Sequence, residues 1–241
     1  MKHKLFAIII ISFLVVLSCN NKDEPLYKAL EDIESSWSNQ EMNEFVIKNE
    51  SDAVSDIHFG YAMNYRNKVL RKPKDSSLIK YFHSLNIYHL EDMSNIIFTS
   101  LHRKQNGKPI DLEDQLKPLL KYWNELKECR SSNLKRALKY FQKYDIGDTI
   151  IVRMPIRNNR TAIQLECPDD SNWVYDDIKD MLIEGVIKEK NNKDTLEMLF
   201  TLKVLSMNHD SIQILMEDVN IGDEIETYLM HDIVEDGNVV K

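Results

Sequence analysis

The 241-residue chain contains six glycines, and each of them stands alone. Isolated glycines exclude the phosphate-cradling loop, the dinucleotide fingerprint and the Gly-x-Ser-x-Gly nucleophile elbow, all of which need paired glycines for close backbone approach. Three cysteines without a Cys-x-x-Cys, and seven histidines without a His-Glu-x-x-His, exclude the common zinc frameworks. His58, His83, His89 and His102 fall in one stretch of sequence, but no two stand three or four apart, the spacing that puts two ligands on one helix face. Neither metal nor cofactor is expected, and no catalytic residue is indicated. Positive charge is short as well: the formal net charge is −8. Phosphates reward a basic face, so a nucleic-acid partner is not expected.

The chain begins MKHKLFAIIIISFLVVLSCNNKDEP, where Lys2 and Lys4 precede the 13-residue apolar run Leu5–Leu17, closed by Ser18 and Cys19. This is the layout of a secretory signal peptide over residues 1–18. Thirteen residues are fewer than the roughly 17 to 25 a membrane-spanning helix needs. Val16-Leu17-Ser18-Cys19 resembles a bacterial lipobox, with Leu17 a less usual occupant, and the resemblance implies that Cys19 is acylated and becomes the new amino terminus. Each buried methylene adds roughly 0.8 kcal/mol and one acyl chain anchors only marginally, so two or three chains would make attachment to the membrane durable. The alternative is an ordinary secreted protein in which Cys19 is incidental. Residues 19–24 form a tether whose Lys22-Asp23-Glu24 is similar to those of Bacteroidota surface lipoproteins. That implies a lipid anchor in the outer membrane, facing the periplasm or the cell surface.

Cleavage before Cys19 removes two lysines and leaves a net charge of −10. Cys129 and Cys167 are then the remaining thiols. An oxidising compartment permits a disulfide between them, but their positions alone do not establish one.

Hydrophobic period divides the mature chain. Over residues 25–144 apolar residues recur at helical spacing, as in Leu26, Leu30 and Ile33. Ser38 with Glu41 reads as a capping box, and Ser76 or Ser77 caps a helix carrying Leu78, Tyr81, Phe82 and Leu85. Asp111 caps a run from Leu112 to Leu126 in which Pro118 predicts a kink or restart, and Leu134, Ala137, Leu138 and Phe141 mark a last helix. From residue 145 to 233 the period is two, as in Ile150, Val152 and Met154, with turn formers between the runs. The expectation is an α+β chain: an all-helical domain, then a small antiparallel β-barrel-like domain, then a tail at 234–241. The β segment looks like an oligonucleotide/oligosaccharide-binding barrel in layout alone. Ile146-Gly147-Asp148-Thr149-Ile150 and Ile221-Gly222-Asp223-Glu224-Ile225 echo one another, too briefly to establish a repeat.

Charge follows the same division. Residues 145–241 carry 9 Lys and Arg against 21 Asp and Glu, while residues 19–144 carry 20 against 18. Asp169, Asp170, Asp176, Asp177 and Asp180 could chelate calcium, but they lack the EF-hand glycine and glutamate, so a solvated acidic loop is the better reading. Arg66, Lys68, Arg71, Lys72 and Lys74 form one basic run and Lys135, Arg136, Lys139 and Lys143 a second, either solvated faces or contacts for lipid phosphate or an acidic protein.

His58-Phe59-Gly60, Tyr65-Arg66-Asn67, Lys80-Tyr81-Phe82, Asp92-Met93-Ser94 and Asn106-Gly107-Lys108 occur in that order. Together they resemble a family of exported bacterial domains of unknown function, whose members usually read His-Phe-Gly, Ile-Arg-Asn-Asn-Trp, Lys-Tyr-Phe, Asp-Asp-Met-Ser and Leu-Asn-Gly-Lys. The resemblance spans Ala29 to Trp123 and brings no activity with it. Lys68 and Val69 stand where the pattern has Asn-Trp, which alters any surface that the tryptophan lines. The candidate residues are His58, Gly60, Arg66, Asn67, Asp92 and His102. Gly60 is expected to let helical turns pack closely, Asn67 to cap or turn, and Arg66 to meet Asp92 as a buried pair. A protein-interaction or binding module with an unidentified protein partner is the leading reading. A cell-envelope hydrolase using His58, Arg66, Asp92 and His102, or a toxin-immunity-type protein, are the alternatives.

Overall fold

The computed structural model describes residues 24–71, 76–158, 161–192, 198–209, 212–214 and 217–237. The signal segment, Cys19, and Lys72 and Lys74 of the first basic run lie outside them. The fold is α+β, and it divides into two compact units, Met1–Leu120 and Lys121–Lys241.

The first unit is helical. Helix α1 (Glu24–Ser36) buries Leu26, Ala29, Leu30 and Ile33, a stripe at the spacing that keeps side chains on one face. Helix α2 (Asn39–Val46) begins in the expected capping box: the Ser38 side chain accepts from the Glu41 amide, and the Glu41 carboxylate accepts from the Ser38 amide at 2.8 Å. Helix α3 (Glu50–Asp56) is capped by Asn49 and α5 (Ser77–Ser84) by Ser76. Between them, the three-residue α4 (Met63–Tyr65) is flanked by π-helical turns at His58–Ala62 and Arg66–Leu70. Helix α6 (Leu90–Gln105) is the central element, burying Met93, Ile96, Ile97, Phe98 and Leu101 against Phe45, Phe82 and the α1 stripe. No described helix is long and apolar enough to cross a membrane.

Helix α7 (Leu112–Lys143) joins the run from Leu112 to Leu126 and the expected last helix into one element, with no restart at Pro118. Its 32 residues continue through the proline. Asp111 caps it, its carboxylate accepting from the Asp114 amide at 3.2 Å. Leu112, Leu116, Leu119 and Leu120 pack on the first unit's core, whereas Leu134, Ala137, Tyr140 and Phe141 pack on the core of the second. The hydrophobic period changes at Tyr144, but the compact units divide inside this helix, because its second half belongs to the sheet's core.

The second unit holds two sheets. One has five strands in the order β8-β5-β4-β1-β9, where β1 is Thr149–Met154, β4 Met181–Asn192, β5 Met198–Met207, β8 Glu224–Tyr228 and β9 Ile233–Asp236. The other runs β2 (Ile156–Arg157), β3 (Thr161–Ala162), β6 (Ile212–Ile214) and β7 (Glu217–Val219). Strand β1 alternates half-buried and buried residues along its length, the two-residue period read from the sequence. Two expectations are corrected. The sheets are not closed as a barrel: β8 and β9 are opposite edges of the five-stranded sheet, and β3 pairs with β6 in parallel. Residues 234–236, placed in the tail by sequence, join β9 because Val234 is buried and pairs with Val152.

The brief sequence echo is one turn used twice. Gly147 and Gly222 both sit at φ 98°, a backbone conformation that favours glycine. Asp148 accepts from the Asp145 amide and Asp223 from the Asn220 amide, each at 2.8 Å. The Gly147 amide then bonds Ile187 on β4 while the Gly222 amide bonds Val204 on β5, each at 2.9 Å. Strands β1 and β8 thus begin at equivalent points on opposite flanks of the β4–β5 hairpin.

Cys129 on α7 and Cys167 in the loop before β4 form a disulfide, with their Cα atoms 5.7 Å apart. The acidic loop that follows uses its carboxylates as turn caps. Asp176 accepts from the Ile178 amide at 3.1 Å, and buried Asp180 accepts from the Asp176 amide at 2.9 Å.

Candidate functional site

The stretch His58–Leu70 reads as ordinary helix but is built wider. The Ala62 amide bonds the Ile57 carbonyl at 3.0 Å and the Arg71 amide bonds the Arg66 carbonyl at 2.9 Å, each reaching back five residues. Each wide turn inserts an extra residue and shifts which side chains share a face; such turns recur at functional sites.

Arg66 is buried, with 8% of its surface exposed. Its Nη1 donates to Ser94 Oγ at 3.1 Å and its Nη2 to the His58 carbonyl at 3.3 Å. Ser94 in turn donates to the Glu91 carbonyl at 2.8 Å. The guanidinium therefore ties the starts of both π-helical turns to the first turns of α6. Ser94 stands two residues beyond Asp92 on α6, about 200° around the helix axis from it. Arg66→Ala should lower stability by about 3 kcal/mol, the cost of two charge-assisted bonds in a buried site. A thermal melt monitored by circular dichroism would show it, and an unchanged melting temperature would refute the structural role.

The other candidates do not converge with it. His102 lies ten residues beyond Asp92 on the same helix, about 15 Å along the axis. It is 2% exposed, with Nε2 3.0 Å from the Lys48 carbonyl and its ring edge-on to Phe45. His58 is half-buried, with Nε2 3.9 Å from Glu91 Oε1. Asn67 is exposed. Gly60 is exposed with open space where a Cβ would stand, so close packing does not explain it. Arg103, beside His102, grips Glu50 with a two-pronged contact at 2.9 and 3.0 Å, which holds the Glu50 carboxyl below the usual range. Lys104 pairs with Glu34 at 2.8 Å. The His-Arg-Lys run thus fastens α6 to α1 and α3. Among the described residues no cluster of His, Cys, Asp or Glu could hold a metal ion.

The wide segment does line a cleft around half-buried Trp37. A cavity of about 400 Å³ lies on one side, walled by Asp32, Tyr61, Asn64, Tyr65, Lys68 and Val69, and one of about 250 Å³ on the other, reaching Glu41, Lys48 and Gly60. Trp37 and Tyr61 belong to both walls. The Trp37 ring is held by Phe98 stacked at 6.1 Å, Phe45 edge-on at 5.3 Å and Tyr61 at 4.8 Å. Tyr61 donates its hydroxyl to Glu41, whose carboxyl is held down by the Ser38 amide and hydroxyl. Burial, with Asp32 adding to it, pushes the Tyr65 phenol up to about 12, so it stays a neutral donor at physiological pH. The cleft offers aromatic faces with a rim of both charges.

Residues 24–105 match the model of a family described as a domain of unknown function, DUF6794. No curated protein and no solved structure matches the chain. The match covers the helices α1 to α6 and ends before α7. It includes Trp37, Tyr61, Arg66 and Ser94, so both the cleft and its brace lie within the matched region. Sequence reasoning missed Trp37 and Tyr61. The signal was a tryptophan directly before a capping box, which fixes its ring at the junction of two helices.

Proposed function

We propose that this chain is an exported, lipid-anchored envelope protein whose helical unit is a protein-interaction module, taking an apolar side chain of its partner into the larger cavity, against Trp37, Tyr61 and Val69. The observation that carries the reading is the cleft itself. Tyr61 is 39% exposed, yet it and Trp37 are held by aromatic neighbours and by Glu41. Trp and Tyr presented rigidly in a pocket with a polar rim are the residues that dominate binding energy at protein interfaces. Lys68 and Val69, the two departures from the motif Asn-Trp, both line the larger cavity. A valine there leaves open the space that a tryptophan would occupy.

Export is supported by the basic head, the apolar run and the Ser18-Cys19 junction, and by the Cys129–Cys167 disulfide, which persists in an oxidising compartment. The same lipobox-like residues support acylation of Cys19, and the Lys22-Asp23-Glu24 tether supports an outer-membrane address. The hydrolase reading loses its support in the separation of Asp92 from His102 and in the burial of Arg66 and His102.

Crosslinking in intact cells followed by capture of the tagged protein tests the module. A reproducible partner should be recovered with the native chain and lost with Val69→Trp, while Val69→Trp keeps the native melting temperature. Equal recovery with the filled cleft would refute this role. Growth with a labelled fatty acid tests the anchor: label should be absent from Cys19→Ala.

A further inference from the structure

The two cavities beside Trp37 differ in charge. The larger carries one acid and one base, Asp32 and Lys68, whereas the smaller carries Glu41, Glu44 and Asp56 against Lys48 alone. Lys48 is paired with Asp56 at 2.7 Å. That pairing leaves Glu41 and Glu44, three positions apart on α2, as net negative charge at the wall. Like charges at that spacing repel, and a bound cation would relieve the repulsion. Both remain open to solvent, Glu44 exposed and Glu41 half-buried. Trp37 and Tyr61 line the same space, and Tyr61 donates its hydroxyl to Glu41, which holds ring and carboxylate together. Indole and phenol faces attract a cation within about 6 Å of the ring. Ala53 and Ile57 supply apolar lining along which the methylene stem of a long basic side chain can lie.

Gly60 adds an independent observation. It lies in the π-helical turn His58–Ala62 and lines the smaller cavity, with nothing within 4 Å of where a Cβ would stand. Its φ is outside the left-handed region, so neither backbone strain nor close packing calls for glycine. Glycine inside a helix costs about 0.5 to 1 kcal/mol relative to alanine. What it provides here is an uncovered wall, since any larger side chain would begin in the open space at the cavity's edge. The volume, about 250 Å³, is that of roughly eight waters at about 30 Å³ each, enough for one long side chain.

We propose that the smaller cavity receives a lysine or arginine side chain of the partner, its cation held between Glu41, Glu44 and the Trp37 ring. This rests on the reading of the helical unit as an interaction module and names the partner's chemistry: a basic residue beside the apolar residue that enters the larger cavity. Lysine and arginine share this chemistry, and two probes separate them.

Titration of the mature chain with n-butylammonium chloride tests a lysine side chain, and with n-propylguanidinium chloride an arginine, both at constant ionic strength and followed by the indole NMR resonances. Trp37→Phe identifies the Trp37 signal. A saturable shift of that signal with at least one cation is the expected result, at a Kd of roughly 1 to 10 mM. The uncharged analogue 1-butanol should bind at least roughly tenfold more weakly. Glu41→Gln combined with Glu44→Gln should weaken the cation about tenfold, and glutamine at position 41 keeps the capping box, so the helix should fold. Gly60→Leu should weaken it as much while the melting temperature holds or rises, because leucine favours a helix over glycine. Val69→Trp fills the other cavity and should leave the cation's affinity unchanged. No saturable shift up to roughly 100 mM would overturn the proposal, as would 1-butanol binding equally well, or unchanged affinity in the glutamine double variant or in Gly60→Leu. A chain that binds neither cation but still loses its crosslinked partner on Val69→Trp would overturn this proposal alone. Cation binding with partner capture unaffected by Val69→Trp would support this site and overturn the role of the larger cavity.

Discussion

Reducing the Cys129–Cys167 disulfide is expected to lower the unfolding free energy of the second unit by about 4 kcal/mol. The crosslink joins residues 38 apart, and closing a loop of that length removes chain entropy from the unfolded state worth roughly 3 to 5 kcal/mol. Denaturant melts with and without reductant, and of Cys129→Ser paired with Cys167→Ser, would measure it. A difference below about 1 kcal/mol would mean that the loop before β4 is held by its hydrogen bonds alone. Those bonds come from Asn133 and His231.

The second large effect comes from Asp232, which is 1% exposed and whose carboxyl burial pushes from its ordinary 3.8 up to about 7. The folded chain holds this proton where the unfolded chain has released it. Between pH 3.8 and about 7 the native state therefore binds one more proton than the unfolded state, and stability from this group falls as pH rises, by about 4 kcal/mol over the window. Asp232→Asn removes the titration while keeping an acceptor for the Tyr228 amide. The free energy of unfolding of Asp232→Asn minus that of the native chain should thus grow as pH rises from 4 to 7 and level off above it. The lowered carboxyls of Glu41, Glu50, Asp176 and Asp236 act in the opposite direction in both proteins and cancel in the difference. A difference that stays flat with pH would mean that the folded chain does not hold this proton.

Much of the architecture is legible in short windows of sequence. The capping box at Ser38, the α1 stripe and the alternation of β1 each depend on residues within a few positions of one another, and each is present as read. Pro118 shows where such local reading fails. A proline in a helix costs a hydrogen bond and a clash, but the leucines around it pack on one core and the residues beyond it on another, and that burial carries the helix through. The barrel expectation failed for a related reason. Alternation reports that a strand has a buried face, not which strand lies beside it, and β8 and β9 end on opposite edges.

The candidate site divides in the same way. The ordered motifs lie mostly within the helical region that matches the model of a family of unknown function, and they drew attention to Arg66 and His102. Their roles came from partners far along the chain: Ser94, 28 residues from Arg66, and Lys48, 54 residues from His102. No spacing rule reaches that distance. The π-helical turns were hidden too, since His58–Leu70 has the composition of an ordinary helix and only the hydrogen bonds reveal the extra residue in each turn.

By itself the sequence determined the division into a helical and a β part, the caps that start the helices, the acidic balance of the β part and the layout of the leader. These are properties of neighbouring residues, governed by backbone sterics, periodicity and net charge. The tertiary structure decided that Cys129 and Cys167 join, what Arg66 braces, and that Trp37 and Tyr61 share a cleft. Each of those depends on groups brought together from distant positions, where burial and hydrogen bonding choose the partner and local spacing has no influence.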